Sequence, residues 1–254
     1  MKQKTLVNSI IIIITFLFAS YGKRILSQYI TISFSSSIAK LLYIYLWWII
    51  PSIIAIVALY GYKNILKTIG INKGFLTGFI FAAITVSPML ISSAIIGEIN
   101  SSINIIHFMH TTIIGGTMEE LFFRGFLFGI LFSKLKWGFI PAAALGAVIF
   151  GLGHLYQASN ISQSISVFLV TFMGAAWFAW LYIEWDKNLW VPIFLHTLMN
   201  VSWILFEVSN NAIGNYVTNT FRIVTIAATI IITIRYHKKR GLKINKRNLI
   251  TNVT

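Results

Sequence analysis

Gly115-Gly116-Thr117-Met118-Glu119-Glu120-Leu121-Phe122-Phe123-Arg124-Gly125 sets two adjacent carboxylates and a guanidinium inside an apolar run. The chain has only six acidic residues, so a third of them stand here. An ionisable group at bilayer depth costs about 2.5–3.5 kcal/mol on insertion scales. A sequence keeps three such groups together when they pair, do chemistry, or both. The surrounding run, Ile105 to Ser133, is too long for one ordinary span. Gly115-Gly116 offers a break, and Thr117 with Glu120 fits a capping box. The expectation is a helix opening at Thr117, with Glu119 and Glu120 in its first turn.

Outward from this stretch the chain is apolar nearly throughout. Of 254 residues, 57% are hydrophobic and 10% are charged, where a soluble domain carries about 25% charged residues. Apolar runs of spanning length recur, centred on Ile10 to Phe18, Leu41 to Tyr62, Phe75 to Ile96, Trp137 to Leu155, Ser164 to Ile183, Leu189 to Phe206 and Thr218 to Tyr236. With the 105–133 run this predicts an all-α polytopic membrane protein of about eight transmembrane helices. The first run is read as an uncleaved span, because Ala19-Ser20 is a poor signal-peptide cleavage site. The net charge of +14 is no nucleic-acid signal. Most Lys and Arg stand between apolar runs or after Tyr236, as the positive-inside tendency requires. Lys63, Lys67, Lys73, Lys134 and Lys136 mark one side as cytoplasmic and place both termini there. Lys23, Arg24 and Lys40 dissent. The absence of cysteine excludes disulfides, thiolate-held zinc and a thiol nucleophile. Residues 1–104 read as N-terminal spans, 105–206 as the core, 207–236 as the last span and 237–254 as a solvated basic tail drawn to anionic lipid.

Three core spans carry polar residues at helical spacing. Glu120 and Arg124 are i and i+4, share a face and can pair. Glu119 lies about 100° round the helix, so one carboxylate is neutralised and the other left free. Phe150 and His154 are i and i+4 in the next span, and His196 and Asn200 are i and i+4 in the seventh. At about 1.5 Å rise per residue, Glu119 lies roughly 22 Å from the Lys134 end, His154 roughly 26 Å, and His196 and Asn200 roughly 12 and 18 Å. These levels allow the groups to converge. A free carboxylate with an imidazole can activate water. A second imidazole and a carboxamide can donate to a developing oxyanion, where excluded water makes such donors count most.

Glu119-Glu120-x-x-x-Arg124, Phe150-x-x-x-His154 and His196-x-x-x-Asn200, in this order on successive core spans, resemble the three motifs of the CPBP family. That family holds CAAX-type proteases and bacteriocin-processing or immunity proteins, and is also called Abi. The resemblance covers about residues 105 to 206. It implies an eight-helix intramembrane glutamic endopeptidase. In it Glu119 and His154 activate water, His196 and Asn200 form the oxyanion site, and Glu120, Arg124 and Phe150 support them. The implied reaction needs no cofactor and no metal. The implied partners are the lipid bilayer and a peptide or membrane-protein substrate.

Other readings stand beside this one. A non-catalytic immunity factor for a bacteriocin-like peptide would use the same fold. A metal held by Glu119, His154 and His196 is ordinary ligand chemistry, although no His-Glu-x-x-His appears. His107 and His110 are i and i+3 and read as interfacial rather than metal-binding. A transporter would show internal repeats, and none is seen.

Overall fold

The structure, a computed structural model, describes residues 2–34, 36–209, 211–239 and 241–252. Among these residues the elements are helical: α1 Lys2–Leu26, α2 Ser37–Tyr60, the short α3 Ile65–Ile69, α4 Phe75–Ile96, α5 105–133, α6 Phe139–Gly153, α7 Ile161–Glu184, α8 Trp190–Leu205 and α9 Tyr216–His237. Six of them (α1, α2, α4, α6, α7 and α9) are long and apolar enough to cross a membrane. The protein is an all-α polytopic membrane protein. The remaining long elements, α5 and α8, carry Glu119, Glu120, Arg124, His196 and Asn200. Against the expected eight spans, six are long and apolar enough among the described residues.

Much of the spanning surface is apolar and uncovered by protein, as at Ile14, Ile54, Ile84 and Met173. Such side chains suit lipid, whose tails are as apolar as they are. The centre is built on α5. Phe122, Phe126, Leu127 and Leu131 are buried against Ile12 and Phe16 of α1, Ile56 of α2 and Tyr182 of α7. Phe122 stacks between Phe16 (4.3 Å) and Trp48 (4.7 Å). A second core joins Phe81 and Met89 of α4 to Phe178 of α7 and Leu195 of α8.

The expected break at Gly115-Gly116 is absent. Segment 105–133 runs as one helical column, α-helical except for wider π turns at His110–Ile114 and Glu120–Phe128. Thr117 is therefore no cap, and Glu119 and Glu120 lie mid-helix. The glycines do other work. The Gly115 N–H bonds the His110 carbonyl five residues back, and the Gly129 N–H bonds that of Arg124. A Cβ at either position would stand 2.8 Å from that carbonyl oxygen, so the glycines let the turns widen. At Gly116 a Cβ would meet Thr197 at 3.2 Å. The missing side chain there admits α8 close to α5.

The basic tail is not a solvated strand of charge. Residues 241–252 fold back over one end of the bundle. Glu184, fully buried, accepts the backbone N–H groups of Lys243 and Ile244 (3.0 Å each). The Asn248 and Leu249 carbonyls accept the N–H groups of Phe139 and Ile140, which opens α6. Asn252 Nδ2 donates to Phe132 O, closing α5. The start of α1 lies at this same end, where Trp137 Nε1 donates to Ser9 Oγ.

Candidate functional site

Close approach of α8 to α5 sets His196 against both carboxylates. Its Nδ1 is 2.8 Å from Glu120 Oε1, and its Nε2 is 3.8 Å from Glu119 Oε2. The same Glu120 oxygen accepts from Arg124 Nη1 at 2.9 Å, the expected i, i+4 pair. Glu120 and Arg124 are buried, whereas the Glu119 side chain keeps 27% of its surface open. One carboxylate is thus neutralised and the other is left accessible, as the helical angle between them requires.

The hydrogen bonds fix tautomers. An ionised Glu120 beside Arg124 can only accept, so His196 Nδ1 carries a proton. In the neutral ring Nε2 then presents a lone pair toward Glu119. Two acceptors 3.8 Å apart do not bond each other. A water about 2.8 Å from each can donate to both.

His154 ends α6 rather than extending it, at φ −97 and ψ −4. Its ring folds back so that Nδ1 donates to the Phe150 carbonyl at 2.7 Å, which leaves Nε2 as an acceptor. The ring lies 4.3 Å from that of Phe150, centroid to centroid, and the Arg124 guanidinium lies 4.7 Å from the same ring. Phe178 does the like on the other side, 5.4 Å from Arg124 and 5.7 Å from His196. The linkage therefore runs His154, Phe150, Arg124, Glu120, His196, Glu119. Among the described residues no ion pair joins His154 to Glu119 directly. Asn200, one turn beyond His196, donates to the Thr111 carbonyl at 3.0 Å. It is held on α5, near the site but facing a backbone oxygen. Among the described residues no three of His, Asp and Glu gather closely enough to hold a metal ion.

Two neighbours carry no motif. Tyr45 of α2 bonds His110 through its hydroxyl at 3.0 Å, and that oxygen lies 3.9 Å from where a Cβ of Gly115 would stand. Gly115 is one turn before Glu119 on the same helix. His110 is thus tied to α2 through its bond to Tyr45. Helical periodicity carries no signal for Tyr45, which is one aromatic among several in an apolar run.

Residues 100–202 match the family described as type II CAAX prenyl endopeptidase, Rce1-like. The chain is 35% identical over 97 residues to YdiL of Bacillus subtilis, whose name is that of a membrane peptidase; this covers 38% of the chain and 35% of that protein. It is 36% identical over 103 residues to the membrane-embedded CAAX protease MroQ of Staphylococcus aureus, covering 39% of the chain and 38% of that protein. Residues 100–202 are thus similar to CAAX-type membrane proteases, as the three motifs suggest. The matched stretch spans about a third of the length of these curated relatives. The family match over residues 100–202 takes in Glu119, Glu120, Arg124, His154, His196 and Asn200 and leaves out Tyr45 and the docked tail.

Proposed function

We propose that this protein is an intramembrane endopeptidase that hydrolyses a peptide bond of a membrane-associated or peptide substrate by direct attack of water. The observation that carries the reading is the 3.8 Å separation of Glu119 Oε2 and His196 Nε2, with His196 fixed from behind by Glu120 and Arg124. A water held there loses its proton to Glu119 as it attacks the scissile carbonyl. Glu119 then delivers that proton to the departing amine. Asn200 would release the Thr111 carbonyl and donate to the oxyanion. Such donors are often set only when substrate is bound.

The resemblance assigns the water to Glu119 and His154, with His196 on the oxyanion. The tautomer of His154 supports that role, since its Nε2 is left as an acceptor. The proximity of His196 to Glu119 favours a second assignment, with His196 on the water.

Comparison of the peptides that accumulate in cells expressing wild-type or Glu119→Gln protein tests the reading. Loss of specific products with the variant still folded in the membrane is expected. A variant that keeps the cellular phenotype would instead indicate a binding or immunity protein. His154→Gln and His196→Gln, compared in the same experiment, separate the two assignments: the residue on the water is the one whose loss matches that of Glu119. A chelator added to purified enzyme tests for metal dependence.

A further inference from the structure

All six acidic side chains have a place. Glu119 and Glu120 belong to the site, and Glu98 and Glu207 follow α4 and α8 at the far end of the bundle. Glu184 is occupied by the tail's backbone, and Asp186 is bonded by Lys243 Nζ. The end where the tail docks nevertheless gathers lysines from several turns. Leu189 N–H donates to Gly70 O, Asn188 Nδ2 donates to Gly74 O, and Asn252 N–H donates to Lys136 O. These bonds tie the turns bearing Lys73, Lys136 and Lys187 to one another and to the tail bearing Lys243.

Lys187 is the centre of this group. Its carbonyl fills the space beside Gly70, and its backbone holds a left-handed φ of 56. Burial, and then the charges of Lys134, Lys243, Lys136 and Lys73, hold its ammonium below the usual lysine range. Lys134 reaches over the Tyr60 ring. Like charges crowded this way repel. Asp186 is bonded by Lys243, and among the described residues Lys73, Lys134 and Lys187 have no such carboxylate bond.

We propose that the lysine cluster around Lys187 binds the phosphate of an anionic phospholipid headgroup in the leaflet that meets this end of the bundle. The location favours a lipid over free phosphate. The cluster lies at the ends of the spans, and Leu66 of α3 and Ile250 of the tail expose apolar side chains at the same end. An acyl chain would use that surface and a free ion would not. The site is independent of the peptidase reading.

The test uses the purified full chain in uncharged maltoside micelles, titrated with phosphatidylglycerol, phosphatidylcholine or inorganic phosphate. Thermal unfolding and native mass spectrometry give the readouts. Phosphatidylglycerol alone should raise the unfolding midpoint and stay bound. Each lysine removed should weaken its binding roughly fivefold, so Lys134→Gln with Lys187→Gln should weaken it roughly 25-fold. Lys187→Gln also carries a sign reversal. A lysine held below its ordinary range costs stability at neutral pH, and that cost fades as pH rises through its folded value. Without lipid, Lys187→Gln should therefore raise the midpoint at pH 7, while it loses most of the gain from phosphatidylglycerol. A purely structural lysine would show no such reversal. Lys23→Gln, at the other end of α1, should leave lipid binding unchanged. Equal binding of phosphatidylcholine, a full shift from inorganic phosphate alone, or an unaltered lipid response in Lys187→Gln would each overturn the proposal.

Discussion

Arg124 shows what a charge needs in order to stay inside this bundle. It is buried, donates to Glu120, and lies between the faces of Phe150 and Phe178. Removing one partner of such a pair leaves an uncompensated buried charge, a loss of about 3–5 kcal/mol. Removing both can be close to neutral. Glu120→Gln alone should thus unfold at a clearly lower temperature than wild type. The double variant Glu120→Gln with Arg124→Met should recover much of that loss. A double variant no more stable than the single one would mean that Glu120 acts through His196 rather than through the arginine. The pairing of Glu120 with Arg124 was legible in the sequence, because i, i+4 spacing on a helix is local geometry. That His196 would touch both carboxylates was not legible. The contact depends on the distance between two helices, which Gly116 and Thr197 set from positions far apart in the chain.

At the scale of elements, α5 differs most from expectation. Two adjacent glycines in an overlong run read as a break, since glycine weakens helices and the run exceeds one span. In the folded chain the helix continues, and the glycines serve the π turns and the approach of α8. Local propensity lost to tertiary packing in α5, and π turns, which recur at functional sites, leave no periodic mark on a sequence. The contrast predicts unequal costs for one small change. Gly115→Ala places a methyl 2.8 Å from the His110 carbonyl, so the turn must tighten and carry His110 away from Tyr45. Overpacking of this kind costs about 1–3 kcal/mol. Gly174→Ala in α7 meets nothing within 4 Å. It should be neutral or stabilising by up to about 1 kcal/mol through helix propensity. Thermal unfolding of the two variants in the same micelles checks the difference. Equal midpoints would mean that the π turn at His110 does not depend on the missing side chain of Gly115.

Over the whole molecule, the spans were readable because hydropathy needs only composition and length, whereas the tail was not. Residues after Tyr236 are polar and basic, and nothing in their order shows that their backbone is the part that docks. The docking rests on Glu184, a carboxylate that closes α7 and looks solvated in the sequence because a polar turn follows it. It is buried, and its two oxygens accept two backbone N–H groups of the tail, while His237 Nε2 donates to the Glu184 backbone carbonyl at 2.8 Å. Bonds to a charged acceptor are worth about 1.5–3 kcal/mol each. Glu184→Ala should therefore free residues 241–252 and uncap the start of α6 and the end of α5 together. Limited trypsin digestion reads this directly, since Lys243, Lys246 and Arg247 lie in the docked segment. Cleavage there should run much faster in Glu184→Ala than in wild type, before the spans lose helicity, and the unfolding midpoint should fall. Trypsin sites between α2 and α4, at Lys63 and at Lys67 of α3, serve as the internal control. If cleavage rises equally at both places, the bundle as a whole has loosened, and the carboxylate is not a specific anchor for the tail.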